Sequence, residues 1–243
     1  MRSGNPALNN KTFDAGAVGG EPMTLAGTVN KTALLLALVL ITAVYTWGRY
    51  FETGTSASVM PLMWIGLIGG LLVALLTVFV KTVSPWTAPL YALLEGLALG
   101  GISAIYETRF PGVVIQAVGL TFGTLLCLLV AYRSGLIRPS ENFKLGVAAA
   151  TGGIAVLYLV DIAMAFFGRP IGFIHEGGTV GIVFSLFVVG IAALNLVLDF
   201  DFIEAGVARG SPRYMEWYAA FGLLVTLIWL YLEILRLLSK SRK

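Results

Sequence analysis

The sequence predicts an all-helical bundle, a polytopic membrane protein of seven transmembrane helices, on three observations. Of its 243 residues 58% are hydrophobic, roughly 141 residues, enough for about seven spans of ~20 residues each. Charged residues make up 12%, about half the ~25% of soluble globular chains, so a water-facing surface cannot be coated. The apolar stretches are long and do not alternate, which excludes barrel strands, and in lipid the backbone is then satisfied only by helices.

The elements follow in order. Residues 1–30 are polar and rich in Gly and Asn, with no apolar core for a cleavable signal peptide, and are expected to form a mobile cytoplasmic tail ahead of a single membrane domain over 31–243. Seven apolar stretches come next: about Thr32 to Tyr50, Met60 to Val80, Ala88 to Tyr106, Gly112 to Tyr132, Phe143 to Phe167, Gly178 to Leu198 and Trp217 to Leu238. The breaks carry turn chemistry, as in Ser84-Pro85-Trp86 and Arg109-Phe110-Pro111-Gly112, and short connections predict antiparallel neighbours. The exception is Asp199 to Glu216, read as a charged loop. Trp47, Trp64, Trp86 and Trp217 fall near span ends, where indole rings favour the headgroup region. Gly96 and Gly100 form a GxxxG on the third span and Gly119 and Gly123 another on the fourth, both expected at close helix contacts.

Lys and Arg set the orientation. Nine lie on the amino-terminal side against Arg49, Arg109 and Arg169 on the other, which places the amino terminus in the cytoplasm. Arg236, Lys240, Arg242 and Lys243 would reduce that contrast if the last segment crosses, and a re-entrant last segment would keep them inside. Length favours seven crossings. The net charge of +3 is explained by orientation and lipid headgroups, so no nucleic-acid partner is expected.

Ionisable groups inside a bilayer are costly and usually face a protein interior, so each is a functional candidate. Glu95 lies in the third span, Asp161 late in the fifth, Asp199 and Asp201 at the end of the sixth, and Glu233 in the seventh. Several carboxylates with no His or Cys cluster point to a hard cation or protons rather than zinc or copper. At 1.5 Å per residue from the cytoplasmic ends Glu95 falls at ~10 Å and Asp161 and Glu233 at ~25 Å, two levels of one pathway. The competing plain readings are that Asp161 and Glu233 reach the outer interface or cap a neighbour, and that Asp199 and Asp201 open a solvated loop. The lone histidine, His175, sits in a loop, Cys127 in an apolar run, and no hydrolase elbow or phosphate-cradling loop occurs, so no enzyme is predicted.

Three stretches carry a resemblance. They are Trp86 to Ser103 with Glu95, Gly96 and Gly100; Leu196-Val-Leu-Asp199-Phe-Asp201-Phe-Ile-Glu204; and Glu216 to Leu238 with Thr226 and Glu233. They resemble the Bax inhibitor family of membrane proteins, in its bacterial YccA-like branch, over most of the chain. The resemblance implies a last helix that is central to the other six and a pH-sensitive calcium leak. It also implies a sensor of two aspartates, one on each of the last two helices. Asp199 matches the first. The second falls on Thr226 when the final Leu-Arg-Leu-Leu is aligned, or on Glu233 when Leu-Tyr-Leu-Glu is aligned, and the first alignment stretches the chain less. Two carboxylates close together in low dielectric hold a proton that a bound cation displaces, so calcium and protons compete. A threonine in place of one acid predicts weaker calcium affinity and a shallower pH dependence.

The leading expectation is therefore a calcium leak lined or gated by Asp199, Asp201, Glu95, Glu233 and Asp161, with Ca2+ and protons as transported or transiently bound ions and no permanent cofactor. The alternative is a non-conducting regulator that binds and restrains a membrane protease or stress-response partner, its polar tail serving recognition. A proton-coupled solute transporter fits less well, for want of two corresponding broken helices.

Overall fold

A computed structural model describes residues 21–169, 171–175 and 177–242. Its helices are α1 (Leu25–Thr53), α2 (Met60–Phe79), α3 (Ser84–Arg109), α4 (Val113–Arg133), α5 (Glu141–Phe166), α6 (Gly172–His175), α7 (Thr179–Ala208) and α8 (Met215–Ser241). All but the short α6 are long and apolar enough to cross a membrane, and no strand occurs among the described residues. Large apolar side chains such as Ile41, Leu72, Ile115, Val130, Leu159 and Val183 are exposed, as a lipid solvent allows. This is an all-helical multi-pass membrane protein.

Most boundaries fall where turn chemistry puts them. Gly54 ends α1 with φ 65°, Pro85 occupies the first turn of α3, and Gly112 turns with φ 79° before α4. Three boundaries differ from expectation. The first helix starts at Leu25, inside the stretch read as polar tail, because Thr24 caps it by accepting from Gly27 N and the Thr28 and Thr32 hydroxyls bond back to the carbonyls four residues earlier. Residues 1–20 of that tail lie outside the described residues. His175, expected in a loop, ends α6. The largest correction concerns the charged loop from Asp199 to Glu216: α7 continues through it to Ala208, with Phe200, Phe202 and Ile203 buried. Asp199 and Asp201 are thus helical.

The chain divides by packing into two compact units, described separately. The first comprises residues 21–111 and Phe202–Val225. Here α3 packs against both α1 and α2. A Cβ on Gly96 would come within 2.4 Å of the Val39 carbonyl oxygen, and one on Gly100 within 2.2 Å of that of Ala43, so only glycine lets α1 and α3 approach this closely. Gly66 does the same for α2 against Leu94 and Ala98. Gly119 and Gly123 are different: nothing lies within 4 Å of a Cβ there, so the fourth-span GxxxG makes no close helix contact among the described residues.

The starts of α1, α3 and α8 lie together in this unit. Glu216 accepts from Thr24 N and Thr24 Oγ1, each at 2.8 Å, and pairs with Lys31, whose ammonium also faces the Trp217 ring. Ser84 Oγ donates to the Tyr214 carbonyl at 3.0 Å. Beside them Pro22 and Pro212 form an antiparallel bridge and Met23 N donates to Ser211 O.

The second unit comprises Gly112–Asp201 and residues 226–242. Lys144 at the start of α5 meets Asp201 near the end of α7, and this is termed the proximal side. On the distal side the end of α8 meets the starts of two other helices: Lys240 Nζ reaches Gly181 O and Ser185 Oγ, and Arg242 reaches Gln116 Oε1. The last helix has 27 residues, a rise of ~40 Å, and is long and apolar enough to cross a membrane. Of the seven spanning helices α8 is the most buried and α3 the next.

Candidate functional site

The second unit is crossed by a polar seam built on seven-residue spacing. Lys144, Thr151 and Tyr158 on α5 are seven apart, as are Thr226, Glu233 and Lys240 on α8. Seven residues at ~100° each return a helix to within about 20° of the same face. Each set therefore lines one side of its helix, and hydrogen bonds join the two sets to each other and to α7.

From the proximal side, Lys144 Nζ binds Asp201 Oδ2 at 2.6 Å and Glu141 Oε1 at 3.3 Å. Next comes Asp199, buried, with a hydrogen bond from Thr226; its Oδ2 has no hydrogen-bond partner among the described residues. One turn further along α7, Asn195 Nδ2 donates to Thr151 Oγ1 and to the Ile191 carbonyl, each at 2.8 Å. Beyond it Tyr158 donates to Glu233 Oε1 at 2.9 Å, and Arg236 Nη1 lies 2.8 and 2.9 Å from the two Glu233 oxygens and 2.6 Å from the Tyr158 hydroxyl. The Arg236 guanidinium also stacks over the Tyr158 ring, which meets Phe184 edge-on. Lys240 closes the distal end.

The five acids singled out from the sequence have different surroundings. Asp199 carries the unsatisfied oxygen. Asp201 is held by Lys144, and Glu233, only 2% exposed, is neutralised by Arg236. Asp161 is buried and accepts from Ile171 N at 2.8 Å, which fastens the chain beyond α5 back onto that helix. Glu95 belongs to the first unit: half-buried on α3, it lies against Gly70 of α2, where a Cβ would sit 2.9 Å from Oε2. It forms no hydrogen bond or ion pair among the described residues. No three His, Cys, Asp or Glu side chains come together as a metal cage among the described residues. A calcium ion, which takes six to eight oxygens, would find at Asp199 its one carboxylate and the Thr226 hydroxyl.

A family model described as Bax inhibitor 1 like matches residues 5–243. The chain belongs to the Bax inhibitor 1 like family. Curated proteins and solved structures give no match to this Bax inhibitor 1 like protein. Thr226, one of the two positions that the resemblance offers for a second sensor aspartate, hydrogen-bonds to Asp199. Glu233, two turns or ~10 Å further along α8, is engaged by Arg236 instead.

The sequence reading missed the partners. Lys144, Arg236 and Lys240 served only as orientation charges, and Thr151, Tyr158 and Asn195 not at all. The seven-residue spacing of polar residues on α5 and α8 is the signal that marks them. In the first unit the buried Glu216 was taken as the end of a loop, yet it joins the starts of α1 and α8 through Thr24 and Lys31.

Proposed function

We propose that this Bax inhibitor 1 like protein is a proton-responsive calcium leak of a cell's cytoplasmic membrane, with its amino terminus in the cytoplasm and Asp199 as the group that binds either a proton or the passing cation. The observation that carries this reading is the buried Asp199 carboxylate with one oxygen unsatisfied, inside a spanning helix. Such a group is expensive in hydrocarbon and is retained where ions or protons pass. Asp199 lies nine residues before the end of α7 and Thr226 eleven after the start of α8, ~13 to 17 Å along each helix. A site with a single carboxylate holds calcium weakly, which suits passage rather than storage.

The chemistry needs no bond-making. Protonation removes the negative charge that attracts the cation, and deprotonation restores it, so calcium occupancy rises with pH and follows one proton. Thr226 keeps the carboxylate in place while contributing no charge of its own. Glu95, without a protein partner in its own unit, is the second candidate for cation contact. The test is flux in liposomes: the pure protein should conduct calcium, Asp199→Asn should remove the pH response and Glu95→Gln should lower the flux. Variants that conduct like the wild type at every pH would defeat the site assignment.

One observation favours the non-conducting alternative: Glu233, Asp201 and Asp161 are each engaged by a nearby group, as in a static scaffold. On that reading the purified protein is silent in liposomes and a membrane protease or stress-response partner co-purifies with the intact chain.

A further inference from the structure

Both ends of the polar seam of α5, α7 and α8 hold a buried lysine. Lys144 is 7% exposed and Lys240 is 3% exposed. Each ammonium sits among oxygens as a small cation would. Around Lys144 Nζ are a carboxylate oxygen of Asp201 and one of Glu141; around Lys240 Nζ are the Gly181 carbonyl and the Ser185 hydroxyl. Carbonyl, hydroxyl and carboxylate oxygens are the ligands that hard cations take. The two lysines bracket the Asp199 carboxylate, which has an unsatisfied oxygen, and the Glu233–Arg236 pair, whose charges already cancel.

We propose that Lys144 and Lys240 act as tethered counter-cations, occupying the oxygen positions at the two ends of the seam and thereby holding down cation entry to Asp199. This rests on the leak reading above and adds what sets the leak rate. A passing calcium ion must displace an ammonium from its oxygens and tolerate that positive charge within a few ångströms, in a medium that screens it poorly. The tether keeps the local concentration of the competing ammonium high, so external calcium does not displace it by mass action. Arg236 serves a different purpose, since its guanidinium is spent on Glu233 and Tyr158.

The test is calcium flux into liposomes containing the full chain, with Lys144→Met, Lys240→Met and the charge-keeping Lys240→Arg. Methionine keeps the stem and removes the charge, and each Met variant should raise the leak roughly tenfold or more, the scale on which a buried like charge repels a divalent ion. Lys240→Arg should stay low. A wild type that is silent while both Met variants leak also supports the proposal. If the wild type conducts and neither Met variant exceeds it, the proposal is overturned and the leak reading stands. If Lys240→Arg leaks as much as Lys240→Met, lost packing rather than lost charge is responsible, which also overturns it. If wild type and variants are all silent, the leak reading itself fails and takes the proposal with it. Helical content and elution volume, checked on every variant, separate these results from misfolding.

Discussion

Replacing Arg236 with methionine tests the most heavily bonded part of the seam. The side chain of Glu233 is 2% exposed and that of Arg236 32%, so the substitution leaves a buried carboxylate whose cation was partly in contact with solvent. Two charge-assisted bonds, at 2.8 and 2.9 Å, are lost from Glu233 and one at 2.6 Å from the Tyr158 hydroxyl. Breaking a buried ion pair by removing one partner costs about 3–5 kcal/mol. The partial exposure of the guanidinium and the retained Tyr158 bond bring the expected loss to ~2–3 kcal/mol. For a chain of this size that is a fall in Tm of roughly 5–10 °C. Glu233→Gln combined with Arg236→Met removes both charges and leaves an amide that Tyr158 can still reach, so the double variant should recover about half of the loss. The assay is thermal unfolding in detergent micelles, followed by helical signal. An Arg236→Met protein as stable as the wild type, or a double variant less stable than either single one, would refute the reasoning that Arg236 is there to neutralise Glu233.

Other outcomes follow from the same contacts. Gly96→Ala places a methyl 2.4 Å from the Val39 carbonyl oxygen and should cost about 1–3 kcal/mol, while Gly119→Ala, with nothing within 4 Å, should be neutral or gain up to ~1 kcal/mol from helix propensity; comparative thermal unfolding separates the two. Lys31→Met strips the cation from the buried Glu216 and should destabilise the protein by about 2–4 kcal/mol, more than Arg213→Met, whose partner Glu21 is largely exposed, as a chemical-denaturation series would measure. Thr226→Asp supplies a second carboxylate beside Asp199, and calcium-binding titrations at several pH values should show tighter binding and a steeper pH dependence than the wild type; an unaltered slope would place the two side chains too far apart to share a proton.

The membrane fold was legible because lipid imposes a length and an apolar composition on each span, and both are written locally. The close contact of the third span was equally legible in Gly96 and Gly100. The same pattern at Gly119 and Gly123 misled, because a small-residue spacing says that a helix can be approached and not that a neighbour is there. The end of α7 was hidden for a different reason. Asp199 and Asp201 look like loop residues until Thr226 and Lys144, each far away in sequence, are seen to bond to them. Lys31, Lys144, Arg236 and Lys240 count only as orientation charges in the sequence, and only tertiary packing shows each bonded to a partner inside the protein. Which acids lie in spans was therefore visible, and what each one faces was not, since facing depends on helices that meet only after folding.

Under the proposed function Asp199 is a single titrating cation site in a chain that lets calcium cross. The most direct measurement is calcium uptake by liposomes holding the purified protein, recorded across a series of external pH values beside Asp199→Asn. The expected result is uptake that rises with pH as a one-proton titration in the wild type and is flat in the variant. Uptake no greater than that of empty liposomes, or an identical pH profile in Asp199→Asn, would contradict it.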